Sequence, residues 1–323
     1  MSPANAGPSA THVPRETATA FAPASVGNVA IGFDILGFSV SAIGDRATVR
    51  RRSEAGVVIK TIRGVVADLP LDPAKNTAGR ALQAMCESLS LPFGLELELN
   101  KGIPLASGLG GSAASAVAAV VAANAVLAKP CSPLELLKFA MQGEQVASGS
   151  LHVDNIAPSL FGGLVLTVGI DQPRIKQIPV PKAIRAVIVH PHMFLSTRQA
   201  RAILKGSVLM KDFVWQTANL AGFISGCYTD DIDMLRESFE DVVIEPQRAA
   251  LIPGFTAVRR AAISAGALGC SISGAGPTLF AWCLESHALA VREAMVVEFS
   301  HHGLKSDHWT TKVDPTGAYV VAA

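Results

Sequence analysis

The stretch Pro104–Val120, PLASGLGGSAASAVAAV, admits three readings, each belonging to a different kind of protein. Its glycines and serines precede an uncharged, alanine-rich run, and no charge occurs between Lys101 and Lys129. Length alone allows a membrane span. The run contains Asn124 and scarcely any Leu, Ile or Phe, so its transfer into lipid is weakly driven and a span is not expected. Gly108–Ala113 also fits the dinucleotide pattern G-x-G-x-x-A. In that setting the first glycine follows a strand directly and an acidic residue closes the next strand about twenty positions on. Here NKGIPLAS intervenes, and the corresponding position falls in AKPCSP. No lysine follows Gly111, so the Walker pattern is absent. The third reading is a helix N-terminus whose unpaired amides and partial positive charge cradle phosphate. A glycine-rich helix start in a close-packed core is the alternative without a ligand, and the rest of the chain decides between them.

The bulk properties narrow the field. With 323 residues, half of them apolar, the chain has material for two domains with cores of their own. The five cysteines (Cys86, Cys131, Cys227, Cys270 and Cys283) are odd in number and unpaired in spacing, which fits a reducing cytoplasm. With 27 basic against 26 acidic residues there is no general field for a nucleic acid or an anionic membrane, and neither partner is expected. Residues 1–17, MSPANAGPSATHVPRET, lack the apolar centre of a secretory signal and read as a flexible tail.

Outward from the opening stretch, GLELELN alternates Leu95, Leu97 and Leu99 with Glu96, Glu98 and Asn100, as a half-buried strand does. Upstream, ATAFAPASVGNVAIGFDILGFSV reads as two strands around a loop from Pro23 to Gly37. GDRATVRR and GVVIKTIRGV continue a meander, and NTAGRALQAMCESL is an amphipathic helix. Downstream, Ser132–Val146 is helical, and SGSLHVDNIAPSLFGG reads as a glycine-rich turn region. The Pro-rich, polar segment DQPRIKQIPVPK places a domain boundary near Asp171, giving domains of 18–170 and 171–323. LGCSISGAGPTLFAWCL reads as strand, loop, strand; the histidines of HPH and HHG read as surface or strand-end residues.

Two further loops accompany the cradle: PASVGNVAIGFDILG, with Asn28 and Asp34 amid small apolar residues, and SISGAGPTLFA, with Ser273, Gly274 and Gly276. Either alone reads as a capped or glycine-rich turn. Together, in this order around PLASGLGGSAAS, the three motifs resemble the GHMP kinases. SGSLHVDNIAP, LSTRQARAIL and EPQRAALIPGF make the likeness closest to the homoserine kinase branch of that superfamily, from about Phe21 to the C-terminus. The resemblance implies an α+β fold, with an N-terminal domain like the second domain of ribosomal protein S5 and a ferredoxin-like C-terminal domain. It implies a kinase of threonine biosynthesis that uses ATP and Mg²⁺ to phosphorylate the side-chain hydroxyl of L-homoserine, and a homodimer by family habit.

Carried onto this chain, the resemblance implies that Pro104, Ser107, Gly108, Leu109, Gly110, Gly111, Ser112 and Ala113 surround the ATP phosphates, with Asn76 near the adenine. Ser112 and Glu144 are the implied Mg²⁺ ligands, and oxygen donors suit a hard cation. The family usually has serine where this chain has Gly111, so backbone rather than side chain is expected to serve the phosphate there. A homoserine pocket must pair a carboxylate, an ammonium and a hydroxyl, because each is costly to bury unpaired. Arg201 and Arg248 are expected on the carboxylate and Asp34 and Asp154 on the ammonium, with Asn28, His152 and Thr197 orienting the remaining atoms. Catalysis is expected to involve Asp154, Asn155 and Arg201. Because the homoserine kinase pattern reads Asp-Asn at 154–155, transfer is expected to run on alignment and charge neutralisation rather than on a strong base. The rival readings are a GHMP kinase for another small alcohol, a non-catalytic metabolite-binding protein of the same fold, and a nicotinamide-dependent oxidoreductase.

Overall fold

A computed structural model describes residues 15–148, 153–169, 172–313 and 315–322. The first half runs β1 (Thr17–Gly27), β2 (Leu36–Arg52), β3 (Val57–Gly64), α1 (Thr77–Leu89), β4 (Gly94–Lys101), α2 (Gly111–Ala125), α3 (Pro133–Ser148), α4 (Val153–Phe161), β5 (Leu164–Val168) and β6 (Arg174–Ile178). These strands form one sheet in the order β1-β2-β4-β3, with β5 on the far end of β2 and β6 beyond it. The second half runs β7 (Ile184–Pro191), α5 (Thr197–Ala202), α6 (Met210–Thr229), α7 (Ile232–Glu237), α8 (Glu245–Arg248), α9 (Phe255–Ser264), β8 (Ala267–Ile272), β9 (Leu279–Leu284), α10 (Ala288–His301), β10 (Ser306–Thr311) and β11 (Tyr319–Val320). Its antiparallel sheet has the order β10-β7-β9-β8. With helices between β7 and β8 and between β9 and β10, that is the split βαβ arrangement of ferredoxin-like domains.

The apolar run of the opening stretch is α2, buried on nearly every side, and no described helix is long and apolar enough to cross a membrane. Alanine is what lets it sit there. Along β1, Ala18, Ala20, Ala22 and Ala24 all turn inward, and the alanines of α2 allow close approach to that face. In β4 the leucines are buried, while Glu96 and Glu98 pair with Lys60, and Glu98 also with Arg63, on the open face.

Four expectations change. β1 continues through Pro23 to Gly27, so the first loop is shorter than Pro23–Gly37. β3 does not extend a meander from β2: β4 inserts between them and runs parallel to β3, because its leucine-lined face belongs at the sheet's centre. The region read as turns holds α4, although Pro158 lies inside it. Proline cannot donate to the carbonyl of Asp154, and that carbonyl instead lies against Gly37, where a Cβ would be 1.8 Å from it. Finally, β6 pairs with β5 throughout and β11 returns to β1, so the first sheet reaches past Asp171 and takes its last strand from the C-terminus. The expected tail, 1–17, falls outside the described residues up to position 14, and its last residue opens β1.

One core spans both halves. Phe38 of β2 stacks edge-on against Phe280 and Trp282 of β9, and Phe223 of α6 and Phe239 join them at centroid separations of 5.2–5.9 Å. A second cluster lies on the other face of the antiparallel sheet beneath α9 and α10. Phe38→Ala is expected to cost about 3–5 kcal/mol. It should leave a single urea-unfolding transition, because the ring bridges the two sheets; two separated transitions would show cores that fold independently.

Candidate active site

Three glycine-containing loops meet over the start of α2. Gly110 caps the helix at φ 65°, with no side chain bonded to its first amides among the described residues. The N-terminus is therefore left with open donors. Behind it, Lys101 donates to the Gly111 carbonyl (2.8 Å), to Ser115 Oγ (2.7 Å) and to Asp45, whose other oxygen accepts from the amides of Gly102 (2.9 Å) and Ile103 (3.3 Å). This buried ion pair ties the end of β4 to the first turn of α2. Sequence reading missed it; the one clue was a lysine closing the alternating strand just before the glycine-rich loop.

The other loops clasp this one. Ser273 Oγ donates to the Gly108 carbonyl (2.7 Å), the Thr278 amide to the Ser107 carbonyl (3.2 Å), and the Gly274 amide to the Gly27 carbonyl (3.1 Å). Asn28 Nδ2 donates to the Gly274 carbonyl (2.8 Å), and Asn28 Oδ1 accepts from the Asp34 amide (3.0 Å). His190, expected at a surface or strand end, is buried at the end of β7 and bonds Thr278 (3.0 Å), so it backs the same loop.

Between the loops opens a cleft of about 610 Å³. At the α2 end it is lined by Pro104, Ser107, Gly108, Gly110, Gly111 and Ser112; Ser112 Oγ donates to Glu144 Oε1 at 2.8 Å. Leu109 and Ala113 are buried in the core and do not face it. Asn76 lines it, but its amide is engaged: Oδ1 caps α1 and Nδ2 donates to the Pro70 carbonyl (3.1 Å). At the other end stand Asn28, Asp34, Asp154, Thr197, Arg201, Arg248 and Gly274, while Asn155 lies beside Gly110. Ser273 and Gly276 hold the third loop rather than line the cleft, and His152 lies outside the described residues.

The two arginines are not an empty fork. Arg201 donates through both terminal nitrogens to Asp34 Oδ2 (3.0 and 2.5 Å), while Arg248 donates to the carbonyls of Ala200 and Gly274, both at 3.0 Å. Asn155 Oδ1 accepts from Ser25 Oγ (3.0 Å). Glu144 is pushed up to about 7, chiefly by burial. Asp154 is likewise raised from 3.8 to about 7, first by burial and then by the charge of Asp34; its Oδ1 has no hydrogen-bond partner among the described residues. A buried carboxyl with an unpaired oxygen beside a second acid gains most from a nearby positive charge.

Comparisons with known proteins identify the family. A family model for the GHMP kinases N terminal domain matches residues 76–163, and one for the GHMP kinases C terminal matches 223–301. Homoserine kinase of Xylella fastidiosa is 49% identical over 97% of both chains. The chain belongs to the homoserine kinase family of the GHMP kinases. Homoserine kinase of Chlorobium phaeobacteroides is 42% identical over 95% of this chain and all of that one. The crystal structure of homoserine kinase from Cytophaga hutchinsonii, 40% identical, superposes with a TM-score of 0.92 over 98% of this chain and all of that one. Membership places the chain among ATP-dependent small-molecule kinases and accounts for the two-part α+β fold.

Two predictions follow from the packing. Gly108 has φ 78°, and a Cβ there would lie 2.5 Å from the Ser273 carbonyl and 2.7 Å from that of Gly276. Gly108→Ala should therefore push two loops apart, raise KM for ATP by about tenfold or more, and cost about 1 kcal/mol or more of stability by urea unfolding. The second concerns Asp154, whose proton is held in the folded state and released near 3.8 in the unfolded one. Folded ligand-free protein should thus lose roughly 2–3 kcal/mol of stability from this group between pH 5 and 8. Asp154→Asn should flatten that decline, whereas equal declines in both proteins would place the titration elsewhere.

Proposed function

We propose that the cleft transfers the γ-phosphoryl group of ATP to the side-chain hydroxyl of L-homoserine. The observation that carries this reading is the shared cleft: an open helix N-terminus with Ser112 and Glu144 at one end, and two arginines with two aspartates at the other. A polyphosphate suits the first end, because amide donors and the helix dipole favour negative charge there. A zwitterion suits the second, with Arg201 and Arg248 facing its carboxylate and Asp34 and Asp154 its ammonium.

The Ser112–Glu144 pair fits magnesium, offering a hydroxyl and a carboxylate side by side on the cleft wall. Among the described residues no cluster of three or more acidic, histidine or cysteine side chains could hold a metal alone, so phosphate oxygens and water would complete the shell. When bound, the ion neutralises charge on the phosphate oxygens. The chain's own residues then align the acceptor: the arginines and aspartates fix its two charged groups, and Asn28 and Thr197 border the space left for the rest of it. Asn155, tethered to Ser25, is a hydrogen-bonding group and not a base. With a loose transition state, alignment and neutralisation supply most of the acceleration.

The decisive assay is Mg-ATP-dependent ADP release with L-homoserine, D-homoserine, L-serine, mevalonate and galactose in parallel. Strong turnover is expected with L-homoserine alone. Turnover with mevalonate or galactose would keep the kinase and overturn the amino-acid pocket, and silence with all five would favour a binding protein. Arg201→Met should lower kcat/KM for L-homoserine by about a hundredfold or more, since it leaves Asp34 and the acceptor's carboxylate without their shared counter-charge.

A further inference from the structure

Phe33 sits between Gly32 and Asp34 on the loop that joins β1 to β2, half-buried, with its ring on the wall of the cleft. The guanidinium carbons of Arg201 and Arg248 both lie 5.3 Å from the centre of that ring. The arginines come from separate helices of the second half, α5 and α8, whereas Phe33 belongs to the first half. One aromatic ring therefore touches both cations across the junction.

The loop that carries it is held firmly. Asn28, Val29 and Ala30 are successive residues at positive φ (70°, 46° and 60°), and Asp34 is a fourth (60°). The turn closes through Gly32 N–H to the Asn28 carbonyl (2.8 Å) and Leu36 N–H to the Gly32 carbonyl (2.9 Å). Gln216 of α6 donates to the Ile31 carbonyl (3.1 Å) and accepts from the Val242 amide (2.9 Å), so the second half grips the loop as well. Residues kept in uncommon backbone conformations persist only where their surroundings over-determine them, and such places are often functional.

Two neighbouring guanidinium groups repel, and burial already disfavours the charge of Arg248, an effect Arg201 deepens and Asp34 opposes. Asp34 is bonded to Arg201; among the described residues Arg248 donates to the carbonyls of Ala200 and Gly274 and faces the ring. The face of an aromatic ring carries negative charge density that attracts a cation within about 6 Å, more strongly when water is excluded. A flat ring also sets the plane in which a guanidinium lies, which a branched aliphatic side chain of similar bulk does not do.

We infer that Phe33 is a positioning residue, whose ring holds Arg201 and Arg248 in the arrangement that receives the acceptor's carboxylate and so selects acceptors that carry one. This rests on the proposed reading of the cleft as an amino-acid kinase site.

The test compares Phe33→Leu, Phe33→Tyr, Arg248→Lys and the double variant Phe33→Leu/Arg248→Lys by steady-state kinetics. Phe33→Leu should raise KM for L-homoserine about tenfold while kcat and KM for ATP stay within about twofold, the size expected for cation–π contacts shielded from water. Phe33→Tyr, which keeps the ring, should restore the parent KM. In the Arg248→Lys background the Phe33→Leu change should cost less than in the parent, since one of the two guanidinium groups it positions is gone. Losses that simply multiply, or a fall in kcat with KM for L-homoserine unmoved, would overturn the inference and leave the kinase reading standing. A parent enzyme inactive on L-homoserine would overturn both.

Discussion

Everything in this site hangs on a helix end that is deep in the protein and yet not capped. Burying α2 on almost every side would strand the amides of its first turn unless something polar came to them. Gly110 leaves them open to the cleft instead. The Lys101–Asp45 pair holds that opening in place: the ammonium grips the carbonyl of Gly111 from behind, and the carboxylate accepts the backbone amides that lead out of β4. A buried ion pair of this kind adds little net stability compared with a well-packed apolar pair, but removing one partner leaves the other charge uncompensated. Its value here is geometric. The same carbonyls and amides that define the helix end are fixed to the sheet, so a phosphate would meet a preorganised set of donors.

The junction of the two halves follows from that constraint. The loop before α2 belongs to the first half, and the loop between β8 and β9 closes over it with bonds from Ser273 and Thr278 to the carbonyls of Gly108 and Ser107. The shared aromatic cluster around Trp282 brings the sheets together on the far side. The cleft is therefore the space left where two packed bodies meet over a helix terminus, a common place for a ligand to bind.

Much of this was legible in the sequence because its signals are local. The alternation of Leu95, Leu97 and Leu99, the uniform alanine run of α2, and the make-up of each of the three loop motifs depend on neighbours a few residues apart. What escaped depends on distant partners. Nothing near β3 announces that β4 will lie between it and β2, and nothing near β5 says that β6 will stay with the first sheet. α4 was obscured by Pro158 and the glycine pair that follows, though the helix tolerates the proline because the orphaned carbonyl of Asp154 packs on Gly37. In the site, residue identity was readable and residue state was not. Asn76, expected near the adenine, lines the cleft with its amide engaged as a helix cap, and Arg201, expected on the acceptor's carboxylate, is bonded to Asp34.

That last pairing bears on how a substrate would enter. Arg201 and Asp34, bonded to each other, present no net charge as a pair, so neither is free to receive a simple anion or a simple cation. A carboxylate arriving alone would have to displace Asp34 from Arg201 and leave that acid unmatched; an amine arriving alone would strand the arginine. A molecule carrying both charges can take over each half of the pair in one exchange, and every ionic group stays compensated throughout. On the proposed reading, the internal salt bridge works as a filter against ligands with only one of the two charges. The buried carboxyl of Asp154, pushed up to about 7 chiefly by burial, keeps one oxygen without a hydrogen-bond partner among the described residues, and a nearby ammonium would favour its charged form. On the same reading, selectivity for an amino acid would arise from an Arg201–Asp34 pair that is balanced before the ligand arrives, which makes a half-matched ligand expensive to bind.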